Sequence, residues 1–133
     1  MIFGFTNRKT FSMNYKKTFA WKRSIDLAIC INQITRGFPS SEKTEKGISS
    51  QLLQSALRIP NRIAESHSPG LDMRSDMLML ARYHLSETEF LLEFSMHIGY
   101  ISKQEHERLQ SDVNHVRMLI NKKMCRFDEL EIA

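Results

Sequence analysis

The sequence is poor in nearly everything that marks a secreted, membrane or catalytic protein. Its two cysteines, Cys30 and Cys125, lie far apart, with no Cys-x-x-Cys and no histidine at metal spacing. That pattern argues against a disulfide framework or a zinc site and reads as reduced cytosolic thiols packed as small apolar residues. The five glycines stand singly, so no glycine-rich loop can cradle phosphate. No apolar run approaches the roughly 18–20 residues that cross a bilayer. The opening MIFGFTNRKTFS lacks a basic segment followed by an apolar region, so no signal peptide is expected and a cytoplasmic location is. There is no Gly-x-Ser-x-Gly elbow and no His-Glu-x-x-His. Enzyme activity is therefore not expected, and no catalytic residue, metal ligand or cofactor is nominated.

Acid is missing too, but only locally. Residues 1–23 carry Arg8, Lys9, Lys16, Lys17, Lys22 and Arg23 and no carboxylate, whereas the rest of the chain holds 13 basic and 15 acidic side chains. The net charge of +4 is thus an N-terminal feature. Such an arm can bind nucleic acid electrostatically, or can simply be a solubilising leader.

What is present is helical periodicity. With 41% hydrophobic and 26% charged residues in 133, the chain has the make-up and size of one soluble domain. Trp21, Ile25, Ala28, Ile31, Ile34 and Phe38 recur at three and four, with Leu27 and Ile29 widening the face, until Gly37 and Pro39 stop the helix. Ser40 to Gly47 reads as a surface loop, and Ser49 as the cap of a second helix. That helix, QLLQSALRIPNRIAES, carries Leu52, Ala56, Ile59 and Ile63 on one stripe. The stripe keeps its phase across Pro60, which predicts a kink in place of a break.

Asp72 is a natural cap for a third helix over about 73–98. Leu78, Ala81, Leu85, Thr88, Leu92 and Ser95 form its seam, and Arg82, Ser86, Glu89 and Glu93 its one clearly wet stripe. Tyr83, Phe90 and Phe94 add apolar surface beyond what a small bundle can cover, which points to self-association; the alternative is a central helix with a few exposed aromatics. Gly99 suits a left-handed stop, after which Tyr100 can fold onto Phe94. Ser102 and Glu105 form a capping box for a fourth helix, with Leu109, Val113, Val116, Ile120 and Phe127 on its apolar face. Arg117, Lys122, Lys123 and Arg126 lie toward its end, where cations complement the helix dipole.

The expected fold is all-α, an antiparallel up-down-up-down four-helix bundle with a kinked second helix. Residues 1–18 form a basic arm, 19–127 the bundle and 128–133 a frayed tail. A bundle raises the question of a di-iron type site, but the chain has only Asp112-x-x-His115 and the reversed His84-x-x-Glu87, with no Glu-x-x-His. His84 and Glu87 read as a structural hydrogen-bonded pair.

Laid out this way, the chain resembles the bacterial four-helix bundle proteins encoded within 23S rRNA intervening sequences. The resemblance rests on Trp21, Phe38-Pro39, Gln51-Leu52 with Ala56, Ile59-Pro60, Ile63-Ala64-Glu65, Leu85 with Glu87 and Glu89, and Gly99-Tyr100-Ile101. It implies a ring-like homo-oligomer, a pentamer, without established catalysis, and RNA binding as a family-level expectation. Two family arginines fall on Leu53 and Gln54, an asparagine on Arg62, a glycine on Ser66, and a small Gly-Ser pair on Tyr83 and His84. The candidate nucleic-acid residues are then Lys16, Lys17, Lys22 and Arg23 of the arm, Arg58 and Arg62, and Lys122, Lys123 and Arg126. The candidate oligomer interface is Tyr83, Phe90 and Phe94. A protein-interaction scaffold without nucleic acid is the competing reading.

Overall fold

Helix α1 spans Phe19–Thr35 and starts where Thr18 satisfies both sides of the chain end. The Thr18 hydroxyl accepts the Trp21 N–H at 3.4 Å and donates to the Tyr15 carbonyl at 2.6 Å, so an orphan donor of the first turn is capped. The computed structural model from which these distances come describes residues 15–68 and 73–132, with side chains as far as Arg126. The buried side of α1 is Ala20, Ser24, Leu27, Ala28, Ile31 and Thr35, about one residue rotated from the expected stripe. Trp21 and Ile34 pack at its margin, and Ile29 is 50% exposed, so it does not widen the core face. Small Ala20 and Ser24 let neighbouring helices approach, and the Ser24 hydroxyl is satisfied by the Trp21 carbonyl at 2.7 Å.

After α1 the chain makes a short 3₁₀ turn, Ser40–Glu42, and enters α2, Ile48–Glu65. Ser49 is not the cap. Gly47 holds that position, and the donor is satisfied from the loop, where the Glu42 carboxylate accepts the Ile48 N–H at 3.0 Å. Ser49 lies inside the helix and is buried, with its hydroxyl 3.4 Å from the Thr35 carbonyl. Glycine is required at 47 because a Cβ there would overlap the Glu42 backbone. Leu52, Ala56, Ile59 and Ile63 are fully buried, and α2 continues without interruption through a buried Pro60.

Helix α3, Arg74–His97, buries every residue of the expected seam, from Leu78 to Ser95, and adds His84. The polar members of the seam are paired: Thr88 donates to the Ser55 hydroxyl of α2 at 2.9 Å, and Ser55 donates on to the Leu52 carbonyl at 3.0 Å. His84 Nδ1 lies 3.3 Å from Glu87 Oε1, as the structural reading required. The expected cap Asp72 lies outside the described residues.

The stripe expected to be wet is instead divided. Arg82 reaches Asn121 at 3.0 Å, and Glu89 takes Arg117 at 2.8 Å and the Gln110 amide at 2.6 Å, so half of it latches α3 to the last helix. Desolvation pushes the Glu89 carboxyl up, but the Arg117 and Gln110 hydrogen bonds and the Arg117 charge outweigh it and hold the group below the usual range.

Gly99 adopts φ 84° and ends the helix as expected. Tyr100 does not turn back onto Phe94. Its ring packs on Phe38 at 5.2 Å and its phenol donates to Glu42 at 3.1 Å, because the last turn of α3 leaves Phe94 on the outer side. The capping box forms: Glu105 N–H donates to Ser102 Oγ and Ser102 N–H to Glu105 Oε1, each at 3.0 Å. Helix α4 then runs Lys103–Ile132, burying Leu109, Val113, Val116 and Ile120. The Phe127 side chain lies outside the described residues.

Each helix packs against its neighbours in the chain, and α4 closes back on α1. The molecule is an all-α four-helix bundle, with no strand among the described residues. Arg82 meets Asn121 whereas Glu89 meets Arg117 and Gln110, so α3 and α4 run antiparallel.

Candidate nucleic-acid interface

Because α4 outlasts the core, its C-terminal half stands beside the start of α1 and leaves a groove between them. The groove encloses about 1060 Å³; Lys17 to Ala20 form one wall, and residues from Asn114 to Arg126 form the other. Its apolar surface is supplied by Phe19, Ala20, Met118 and Leu119, and its charge by Lys17, Arg117, Lys122, Lys123 and Arg126. No carboxylate lines it among the described residues. Arg117 is engaged with Glu89, and Lys17, Lys122, Lys123 and Arg126 are the other cations of the lining.

Burial, with neighbouring positive charge second, depresses two pKa values at this end. Burial, and then the neighbouring Arg126 charge, lower the Lys123 ammonium from 10.5 to about 8. Burial, followed by the charges of Lys123 and Arg74, lowers His67 from 6.5 to about 4. His67 closes α2 on this side, 6.5 Å from the Tyr15 ring, and Tyr15 in turn packs edge-on against Trp21 at 5.5 Å. Tyr15 before α1, the end of α2, the start of α3 and the far part of α4 therefore meet at one end of the bundle.

Of the nine basic residues nominated from sequence, this arrangement gathers four: Lys17, Lys122, Lys123 and Arg126. Lys16, which lies 5.9 Å from the Tyr15 ring, Lys22 and Arg58 are exposed but do not line the groove. Arg23 is turned into the α1–α4 seam, donating Nε to His115 Nδ1 at 3.1 Å and lying 3.9 Å from Asp112. Arg62 is paired with Glu65 at 3.1 Å. The dipole explanation for the cations of α4 does not hold, because the helix extends to Ile132 and has no basic residue in its last turn. Sequence reasoning missed Phe19, which is 73% exposed at the groove wall; its place next to the basic arm was the available signal.

A second surface lies on α3. Tyr83 and Phe90 are each 64% exposed and Phe94 41%, and the Phe90 and Phe94 rings stack at 6.3 Å. At roughly 100° per residue these side chains lie on the side of α3 opposite its buried seam, together with the exposed Met79. His84, one residue from Tyr83, is buried, so the two bulky residues at that point have different surroundings.

The family model of the 23S rRNA-intervening sequence protein matches residues 16–122. The chain belongs to that family. The comparison with curated proteins finds no match. The family match takes in Lys17, Phe19 and Lys122 of the groove and stops just before Lys123, Cys125 and Arg126. It also covers the whole outer stripe of α3. Among the described residues, no three His, Cys, Asp or Glu side chains are grouped as they would be around a metal ion, and no helix is long and apolar enough to cross a membrane.

Proposed function

We propose that this member of the 23S rRNA-intervening sequence protein family is a non-enzymatic, self-associating bundle that binds RNA in the cytoplasm. The observation that carries the reading is the groove between α1 and α4, where four cations face an opening that no described carboxylate lines. Phosphates entering it would displace condensed counterions and relieve the mutual repulsion of Lys123 and Arg126. The exposed Tyr83, Phe90 and Phe94 supply the surface for self-association, for which the family resemblance suggests a pentameric ring. The arm residues Lys16 and Lys22 add charge beside the groove, while Arg23 and Arg62, already paired, contribute little.

A second reading is favoured by the α3 stripe alone: an assembly scaffold that binds protein and no nucleic acid. Solution mass by light scattering, with and without a 23S rRNA fragment at moderate salt, separates the two. The RNA reading predicts a multimer whose mass rises by that of the RNA. A multimer with no RNA gain supports the scaffold, and a monomer under both conditions defeats the self-association common to both.

A further inference from the structure

The groove holds more than charge, and its apolar part identifies which form of RNA it fits. We propose that it takes an unpaired stretch of RNA, with one base stacked on the exposed ring of Phe19. The inference rests on the groove being an RNA site and adds the conformation of the ligand.

Phe19 is the most exposed of the large hydrophobic side chains among the described residues, at 73%. The Thr18 cap fixes it as the first residue of α1, a position where helix formation asks for no aromatic group. Its ring stands at the wall of a groove whose opposite side offers Met118 and Leu119, with Lys17 two residues before it. A flat apolar face flanked by cations is the arrangement on which single-stranded nucleic acid stacks, base on ring and phosphate on ammonium. The N-terminus of α1 opens onto the same wall, with no acidic side chain in its first turn, so the helix dipole favours a phosphate there as well.

Duplex RNA cannot use these features together. In an A-form helix the faces of the bases are stacked on one another, and only phosphates, sugars and the shallow minor groove are offered. The groove volume of about 1060 Å³ suits a few nucleotides.

The experiment is fluorescence anisotropy with a labelled, unstructured oligoribonucleotide and with the same strand in a perfect duplex, using the full chain. Wild type is expected to bind the single strand at least tenfold more tightly than the duplex. Phe19→Ala is expected to lose roughly tenfold on the single strand, with duplex affinity and salt dependence unchanged because no phosphate contact is removed. Phe19→Trp is expected to restore single-strand binding. An unchanged melting temperature shows that Phe19→Ala folds. Equal affinity for both RNAs, or a Phe19→Ala variant that binds the single strand like wild type, overturns the proposal and leaves the RNA reading standing. Failure of wild type to bind either RNA overturns both, and binding of an acidic peptide in place of RNA does the same.

Discussion

The Tyr100 phenol donates to the Glu42 carboxylate at 3.1 Å across 58 residues of chain. The other oxygen of that carboxylate accepts the Ile48 N–H at 3.0 Å. One side chain in the 3₁₀ turn therefore caps α2 and ties that cap to the α3–α4 connection. Glu42→Ala is expected to destabilise the bundle by about 1 kcal/mol or somewhat more, the usual loss of a helix cap. Tyr100→Phe keeps the ring on Phe38 and is expected to cost less. Urea unfolding of the two variants measures the difference.

Gly47 is fixed by the same turn. A Cβ at this position would overlap the Glu42 backbone, which cannot move without releasing the Ile48 cap. Gly47→Ala is expected to destabilise by about 1–3 kcal/mol, the range for overpacking. Gly37→Ala meets only the Ile34 carbonyl at ordinary contact distance and serves as the control in thermal melts.

The cores of α2, α3 and α4 were legible in the sequence because Leu52 to Ile63, Leu78 to Ser95 and Leu109 to Ile120 recur at helical spacing. Gly99 and the Ser102–Glu105 box were legible because their geometry is local. Ser49 and Tyr100 were misplaced because their partners, and the Glu42 that caps α2 in place of Ser49, lie far along the chain or across a loop, where spacing carries no information. Glu89 looked wet for the same reason: its desolvation and its bond to Arg117 exist only once α4 is laid beside α3. The groove required residues 17–20 and 114–126 to meet, so its cations could be nominated singly but not assembled, and Phe19 was not nominated.

His67 gives a pH dependence with a definite sign. Its folded pKa is lowered from 6.5 to about 4, by burial first and by Lys123 and Arg74 after it. Between those values the unfolded chain binds a proton that the folded chain refuses, so this contribution to stability is complete above pH 6.5 and is lost as pH falls toward 4. His67→Gln is expected to flatten the fall in that window. Lys123→Gln is expected to raise the His67 pKa only part of the way, since burial remains. Titration of the His67 ring by NMR, alongside urea midpoints at pH 7 and 4.5, tests both.

The outer stripe of α3 makes a prediction about assembly. Phe90→Glu and Tyr83→Glu place charge on positions that are 64% exposed, so each folded subunit is expected to lose less than about 0.5 kcal/mol. Self-association is expected to weaken at least tenfold, because each charge would be desolvated at the contact. Sedimentation of the variants at several concentrations reads the mass, and an unchanged multimer with both substitutions together removes the stripe from the interface.

The most direct test of the account is the salt dependence of RNA affinity for wild type and for Lys17→Gln/Lys122→Gln/Lys123→Gln/Arg126→Gln. Four groove cations engaging four phosphates of a single strand predict that the slope of log K against log salt is about 3 units shallower in the variant, at roughly 0.7 per phosphate. The account predicts that difference, together with wild-type affinity that weakens above pH 8 as Lys123 loses its proton. Equal slopes for the two proteins would contradict it.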